Sequence, residues 1–407
     1  MMNLLVMNNV FLCIAGLAFP FSVGLTNICL GIVLGLGVVS GTWWKGAKKC
    51  WQFSRNLMLI FCAYFALMIL GLTWSLDVSW GGHILGRQWF WLLVPIIAVL
   101  LNEEKWRNYF LICLSIGLTL NLVYCVLQIF SYVSVATIGS TAQNATGHIG
   151  HIGFGVVYGI WASWLLYLGW QWRDKRAWFL WLLAAWAYFM VFSAMGRGGY
   201  VVALSLMIIV IFEMFRGYNL WRPVALIASL SVIVALLFVM GPGKERWQVM
   251  WNSLSQVKSD SVAPIELSST GQRMQMFNTS LDVWKAYPLM GVGTGGMPRA
   301  VAQLGAFDNG IERIQFAHPH NQYVFNLARW GVVGLMLLLA VFYFWLRQGW
   351  KDEWVNSISY PLVALAGVGL MIDGVFAPAM EEHFSGVLAA LLLGAGLSEQ
   401  YNMKSNE

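Results

Sequence analysis

Charge is what this chain most lacks: only 10% of its 407 residues are charged, against 59% hydrophobic and 15% aromatic. Soluble domains carry roughly a quarter of their residues as charges, so an ordinary globule is excluded and a polytopic membrane protein is expected. Cysteine is confined as well. Cys13, Cys29, Cys50, Cys62, Cys113 and Cys125 all lie in the first third, mostly inside apolar runs, which argues against a disulfide framework or a cysteine zinc site. A paired-aspartate metal motif, a Gly-x-Ser-x-Gly elbow and a P-loop lysine are all missing, so metal-dependent phosphoryl transfer, serine-hydrolase chemistry and nucleotide binding are poorly supported. No basic stretch precedes the first apolar run, which therefore reads as a retained span rather than a signal peptide. There are no heptads, low-complexity tracts or fixed-period repeats.

A bilayer core takes about 20 apolar residues per helix. On that measure about twelve spans are expected, over 4–21, 23–39, 56–73, 88–101, 109–133, 152–168, 177–194, 200–215, 223–240, 327–346, 359–376 and 384–397. The formal charge of +6 follows from topology rather than from a nucleic-acid partner, because the basic residues sit in short clusters between the runs. One set of loops holds most of them, including Lys45, Lys48, Lys49, Arg173, Arg176, Arg216 and Lys351, whereas the opposite short loops hold only Arg87 and Arg197. The first set is expected to be cytoplasmic, with both termini. Three regions follow: membrane helices in 1–240, an external subdomain in 241–328, and further membrane helices with a tail in 329–407.

A polar segment as long as 241–328 is too long for an idle connector. Within it Met274, Phe277, Leu281 and Trp284 recur at spacings of three and four, which predicts an amphipathic helix along the membrane face, ended by Pro288. Gly291, Gly293, Gly295 and Gly296 then read as a flexible turn whose amides approach a phosphate or sugar, or as a plain loop.

The segment closes on Phe316-Ala317-His318-Pro319-His320-Asn321-Gln322-Tyr323, which holds two of the six histidines. Imidazole titrates nearest neutrality, so a histidine at a membrane surface is a candidate for moving a proton, and Pro319 places a bend between the two rings. The competing reading is that they cap a helix or sit among headgroups. Arg197, in Gly196-Arg197-Gly198, and Arg273, expected to open the loop helix, face the same side as Arg87. Guanidinium pairs phosphate oxygens through two parallel hydrogen bonds, so three arginines beside two histidines describe a site for a phosphorylated substrate. The glycines flanking Arg197 are expected to leave room for a bulky anion, although snorkelling to headgroups is the alternative. His148 and His151 share a face if their helix starts early, and read as a vestibule lining rather than metal ligands. Glu381, Glu382 and His383 read as a solvated turn. Asp373, at a membrane edge, is a candidate counter-ion for one of the arginines.

Gly196-Arg197-Gly198, Gln272-Arg273-Met274, Tyr287-Pro288-Leu289-Met290-Gly291-Val292-Gly293, and His320-Asn321-Gln322-Tyr323 running into Gly331-Val332-Val333-Gly334-Leu335 resemble, in order and topology, the bacterial O-antigen ligase superfamily. The resemblance is strongest over about 190–335. It implies an all-α membrane fold of GT-C type with one large periplasmic loop, in the bacterial inner membrane, and a reaction needing no metal or cofactor. It further implies glycan transfer from an undecaprenyl diphosphate donor to an acceptor hydroxyl, which for a ligase belongs to lipid A-core. The histidine before Asn321, His320, would be the general base, with His318 competing for the role. Arg197 and Arg273, with Arg87, would hold the diphosphate, and Asp373, Asn321, His148 and His151 would support the site. O-antigen polymerases and protein O-oligosaccharyltransferases share the donor. A lipid-linked glycan flippase is the reading from another class.

Overall fold

The computed structural model describes residues 4–133, 140–216, 221, 224, 226–227, 269–305, 307–308, 311–312, 314–351 and 354–405. Among these the fold is helical apart from two antiparallel two-residue strands, β1 (Phe307–Asp308) and β2 (Ile311–Glu312). The chain begins with α1 (Leu4–Ala18), α2 (Val23–Val39), α3 (Thr42–Phe53) and α4 (Arg55–Leu70). The Ser22 hydroxyl caps α2 by accepting the Leu25 amide at 3.1 Å. Gly41, at φ 72°, turns the chain so sharply that α2 and α3 meet at 85°. Then come α5 (Val78–Arg87), a 3-10 turn (Trp89–Leu93), α6 (Val94–Leu100) and α7 (Glu104–Ile129). After them run α8 (His151–Trp172), α9 (Lys175–Ser193) and α10 (Arg197–Met214). The remaining helices are α11 (Ser269–Ala286), α12 (Met297–Gln303), α13 (Gln322–Gly349), α14 (Pro361–Asp373) and α15 (Leu388–Ser405), with a π turn at His383–Val387.

Among the described residues six helical stretches are long and apolar enough to cross a membrane, or seven if α2 and α3 count as one bent span. The chain is a multi-pass membrane protein. The expected twelve crossings are not matched one for one: the span at 223–240 lies almost wholly outside the described residues, and α1, α4 and α14 are shorter apolar helices. The run at 56–73 shows why composition overshoots. Its helix stops at Leu70 because Thr294, from the polar segment, donates its amide to the Gly71 carbonyl at 3.1 Å and its hydroxyl to the Met68 carbonyl at 2.6 Å. The carbonyls that end a helix need partners, and here another segment provides them. The run at 88–101 instead continues back through the 3-10 turn into α5 as one apolar stretch, Val78–Leu100, which places Arg87 at the end of α5, inside that stretch.

Helix α8 is apolar on every side and almost entirely buried, as such a helix must be. It lies against α10 through Gly155 and Gly199, where a Cβ on Gly199 would come 2.6 Å from the Gly155 Cα. Helix α13 is broken at Trp330 (φ −132°) and Gly331 (φ 62°). The carbonyls of Ala328 and Arg329 accept the amides of Val292 and Gly293 at 3.0 and 2.8 Å, and the Val332 amide donates to the Pro288 carbonyl at 3.0 Å. The kink therefore keeps its backbone groups satisfied by seating the 288–293 segment in it.

At the far end of the bundle from these contacts the Glu399 carboxylate gathers the start of α14. It accepts the Ser357 hydroxyl at 2.7 Å, the Ser359 amide and hydroxyl at 2.6 Å each, and the Tyr360 amide at 2.9 Å, and it lies 3.8 Å from buried Arg107. A carboxylate at a helix start satisfies orphan amides and complements the dipole. Glu399→Ala is expected to lower stability by about 3–5 kcal/mol, because it strands a buried guanidinium and the donors around it. A thermal melt in detergent with an unchanged midpoint would refute that assignment.

Candidate active site

The site is built from the start of α13. The Asn321 side chain caps the helix by accepting the Val324 amide at 3.0 Å, and its Nδ2 donates to the Val375 carbonyl at 3.0 Å. The Gln322 amide donates to the Gly374 carbonyl at 2.6 Å, and the Tyr323 hydroxyl to the Met371 carbonyl at 2.5 Å. These bonds fasten the histidine loop to the end of α14. His320, the residue before the cap, has φ 51°, a left-handed conformation that histidine tolerates better than most residues. Residues held there are commonly part of a functional constraint. The rings of His318 and His320 meet edge to face, 4.6 Å apart at 74°. Among the described residues the Nδ1 atom of each is buried without a hydrogen-bond partner.

Electrostatics draws the expected cations into the same place. Burial, then the charges of His320, Arg87 and Arg329, pushes the His318 imidazole down to about 4 from 6.5. Burial and then Arg273 lowers His320 below its ordinary value. Arg273 is itself lowered by burial and by Arg197, with Glu382 opposing. Burial raises the Glu382 carboxyl while Arg87 and Arg273 pull it down. Arg87, Arg197, Arg273, His318 and His320 thus share one end of the bundle, with Glu382 among them, and Asp373 lies within the electrostatic reach of Glu382.

Several expectations are corrected. The expected helix is α11, but Arg273 sits in its second turn rather than opening it. Gly291, Gly293, Gly295 and Gly296 do not form an open anion cradle: the amides of Gly291, Gly293, Gly295 and Gly296 all bond within the protein, that of Gly295 to the Ser75 hydroxyl at 3.0 Å. A Cβ on Gly291 or Gly293 would strike the backbone of Arg329 or Ser75, and both glycines have positive φ. The glycines around Arg197 serve packing as well. Gly196 lies against the His151 carbonyl and Gly198 against the Phe376 ring. His148 and His151 do not share a helical face, because α8 begins at His151. His148 instead packs on Phe21 and Tyr124 and donates its backbone amide to the side-chain Oδ1 of Asn121 at 3.0 Å. Asp373 is buried and in this structure is not an arginine's counter-ion. No ion pair to it occurs among the described residues, and its Oδ2 has no hydrogen-bond partner there.

Glu381 is no solvated turn residue. It pairs with Arg329, a fully buried guanidinium that also donates Nε–H to the Thr294 carbonyl at 3.1 Å and lies over Phe325 and Trp330 at 4.1 and 4.5 Å. Arg329 falls inside the expected span at 327–346, where an arginine demands a buried partner, and Glu381 is the acid that meets it. Also unforeseen is a buried relay. Gln322 Nε2 donates to Asn326 Oδ1 at 2.7 Å, and Asn326 Nδ2 to the Tyr64 hydroxyl at 3.0 Å, while Gln322 Oε1 accepts the Met380 amide at 3.2 Å. It ties α4, α13 and the 377–382 turn together. Among the described residues no three His, Cys, Asp or Glu side chains converge to hold a metal ion.

Glu381→Ala should cost about 3–5 kcal/mol by leaving Arg329 buried and unpaired. The double variant Glu381→Leu, Arg329→Met should recover most of that loss. If the double variant melts as low as the single one in detergent, the stranded charge is not the cause.

No curated protein matches the chain. The O-antigen ligase family model matches residues 179–339, a stretch that contains Arg197, Arg273, His318 and His320 together. Over that stretch the resemblance to the O-antigen ligase superfamily is shown.

Proposed function

We propose that the chain is an O-antigen ligase, a membrane glycosyltransferase that moves a glycan from undecaprenyl diphosphate to a sugar hydroxyl of lipid A-core at the periplasmic face of the inner membrane. The observation that carries this reading is the meeting of two imidazoles held neutral with Arg87, Arg197 and Arg273 at one end of a membrane bundle. The family match supports the broader class, ligase or polymerase type.

In the proposed reaction His320 removes the proton of the acceptor hydroxyl as its oxygen attacks the anomeric carbon. The bond from that carbon to the diphosphate oxygen breaks on the opposite face, so configuration inverts and undecaprenyl diphosphate departs. Its negative charge is met by Arg197 and Arg273, with Arg87 alongside, so the leaving group needs no proton. A base must be unprotonated to act, and burial with Arg273 nearby keeps His320 so at neutral pH. Asn321 fixes the loop that carries His320. His318, in edge contact with His320, is the competing base.

The decisive assay combines purified protein in liposomes, the lipid-linked glycan and lipid A-core, in the presence of EDTA. Glycosylated lipid A-core is expected. Longer lipid-linked glycan alone would instead identify a polymerase, and movement of donor across the bilayer without transfer would identify a flippase. His320→Ala should reduce transfer by at least about 100-fold with donor binding retained, whereas Arg197→Ala or Arg273→Ala should weaken donor binding. Retained transfer in the His320 variant would move the base role to His318 or out of the mechanism.

The pH profile offers a separate check. The acidic limb of kcat/KM reports the free enzyme's base, so it should fall below the ordinary imidazole value of 6.5. Arg273→Gln removes a neighbouring positive charge and should shift that limb upward. A limb that stays in place would mean that Arg273 does not act on the titrating base.

A further inference from the structure

The end of the bundle opposite the histidines carries a second built feature. The α8–α9 turn, the end of α10 and the 354–356 segment enclose a cavity of about 500 Å³, walled by Trp170, Arg173, Glu213, Arg216 and Trp354 among others. A neighbouring depression of about 420 Å³ shares Trp170 and Arg173 and is completed by Trp178, Trp181 and Phe215. Arg173 is the ridge between them. It stands over the Trp170 ring at 5.3 Å, from a left-handed backbone position of φ 49°.

The carboxylates nearby are already engaged. Glu213 accepts the Trp350 indole N–H at 3.0 Å and lies 3.5 Å from Arg216, and Asp174 is held by Arg176 at 2.6 Å. Among the described residues none lies within ion-pair distance of Arg173. On its outer side α9 presents Trp178, Phe179 and Leu182, each about two-thirds exposed. A guanidinium with no ion pair among the described residues, although Asp174, held by Arg176, also lines the second depression, indoles at its flanks and an apolar helix face running away from it form a sequence of surfaces that matches a phospholipid from headgroup to chain.

We propose that these two depressions seat one anionic glycerophospholipid of the surrounding bilayer, its phosphate at Arg173 with Arg216 beside it and its acyl chains along the Trp178 face of α9. Guanidinium meets phosphate through paired hydrogen bonds, and each basic residue at a membrane surface favours anionic lipid by about fivefold. A free phosphate would use the arginine but not the aromatic walls. The site is separate from the proposed donor site in residues and in end of the bundle, so either assignment can fail without the other.

Native mass spectrometry of the full chain in mixed micelles tests this, with phosphatidylglycerol and phosphatidylcholine of identical chains offered in equal amounts. The native protein is expected to retain phosphatidylglycerol in several-fold excess. Arg173→Gln and, separately, Arg216→Gln should each cut that preference by about fivefold, while Lys49→Gln on α3, which lines neither depression, leaves it intact. Two variants guard against one failing to fold, with retained helicity and elution volume as the criterion. Equal retention of the two lipids by the native protein, or undiminished preference in Arg173→Gln, overturns the proposal. So does binding of glycerol 3-phosphate as tight as that of the lipid, which would make this a free-phosphate site.

Discussion

One buried charge organises the histidine end of the molecule. Arg329 has no exposed surface, yet it lies in the first turns of the helix that carries the histidine loop. A guanidinium cannot remain there unless acids, carbonyls and ring faces surround it. Glu381 supplies the acid, Thr294 the carbonyl, and Phe325 and Trp330 the ring faces. Each belongs to a different stretch, so satisfying one charge draws the 377–382 turn and the 288–296 segment onto α13. The kink at Trp330 and Gly331 extends the same bargain to the backbone, since the carbonyls of Ala328 and Arg329 become acceptors for Val292 and Gly293. Positions of His318 and His320 follow from this frame, through the Asn321 cap and the Gln322 bond to Gly374.

Much of this end was legible in the sequence. Periodicity over Met274, Phe277, Leu281 and Trp284 marked the helix that became α11, and Pro319 marked the bend between the two imidazoles. Arg87 and Arg197 stood out as the cations of the outer short loops and Arg273 as the cation at the start of the loop helix, and all three lie within electrostatic reach of this end. The errors share one physical cause. Glycines over 291–296 were read by their conformational freedom and those near Arg197 as room for an anion, whereas the fold uses their missing side chains for close packing against other parts of the chain, as between Gly155 and Gly199. A single sequence carries no signal that distinguishes these uses, because both want the same residue. Apolar runs suffered similarly. Hydropathy measures where a chain can be dry, but Thr294 ends α4 from more than two hundred residues away. Partners so distant have no local signature. Glu381 was missed for the same reason, since the charge it neutralises, Arg329, lies some fifty residues earlier in the chain.

The two ends of the bundle solve a common problem by different means. At the Glu399 end a carboxylate collects hydroxyls and amides and lies within reach of buried Arg107, whose Nε alone of this cluster lacks a hydrogen-bond partner among the described residues. At the histidine end matching is incomplete among the described residues. His318 Nδ1, His320 Nδ1, Arg329 Nη2 and Asp373 Oδ2 are all buried without hydrogen-bond partners there. Unmatched buried polar atoms cost stability, and a fold concentrates them where something other than stability is served. That pattern fits the proposal that the histidine end carries the chemistry.

The same cations bear on both halves of the proposed chemistry. A diphosphate leaving group favours positive charge, and a general base near neutral pH must resist protonation. Arg273 does both, because it lowers His320 while standing ready for an anion. Glu382 tempers the arrangement: Arg87 and Arg273 favour its charged form while burial opposes it. Glu382 is thus a carboxyl within electrostatic reach of both arginines. In the proposed reaction an entering diphosphate would bring more negative charge to the same guanidiniums, and the field at His320 would grow less positive. Imidazole basicity would then rise in the loaded site relative to the empty one. A base strengthened by the leaving group would couple proton removal to donor binding by electrostatics alone.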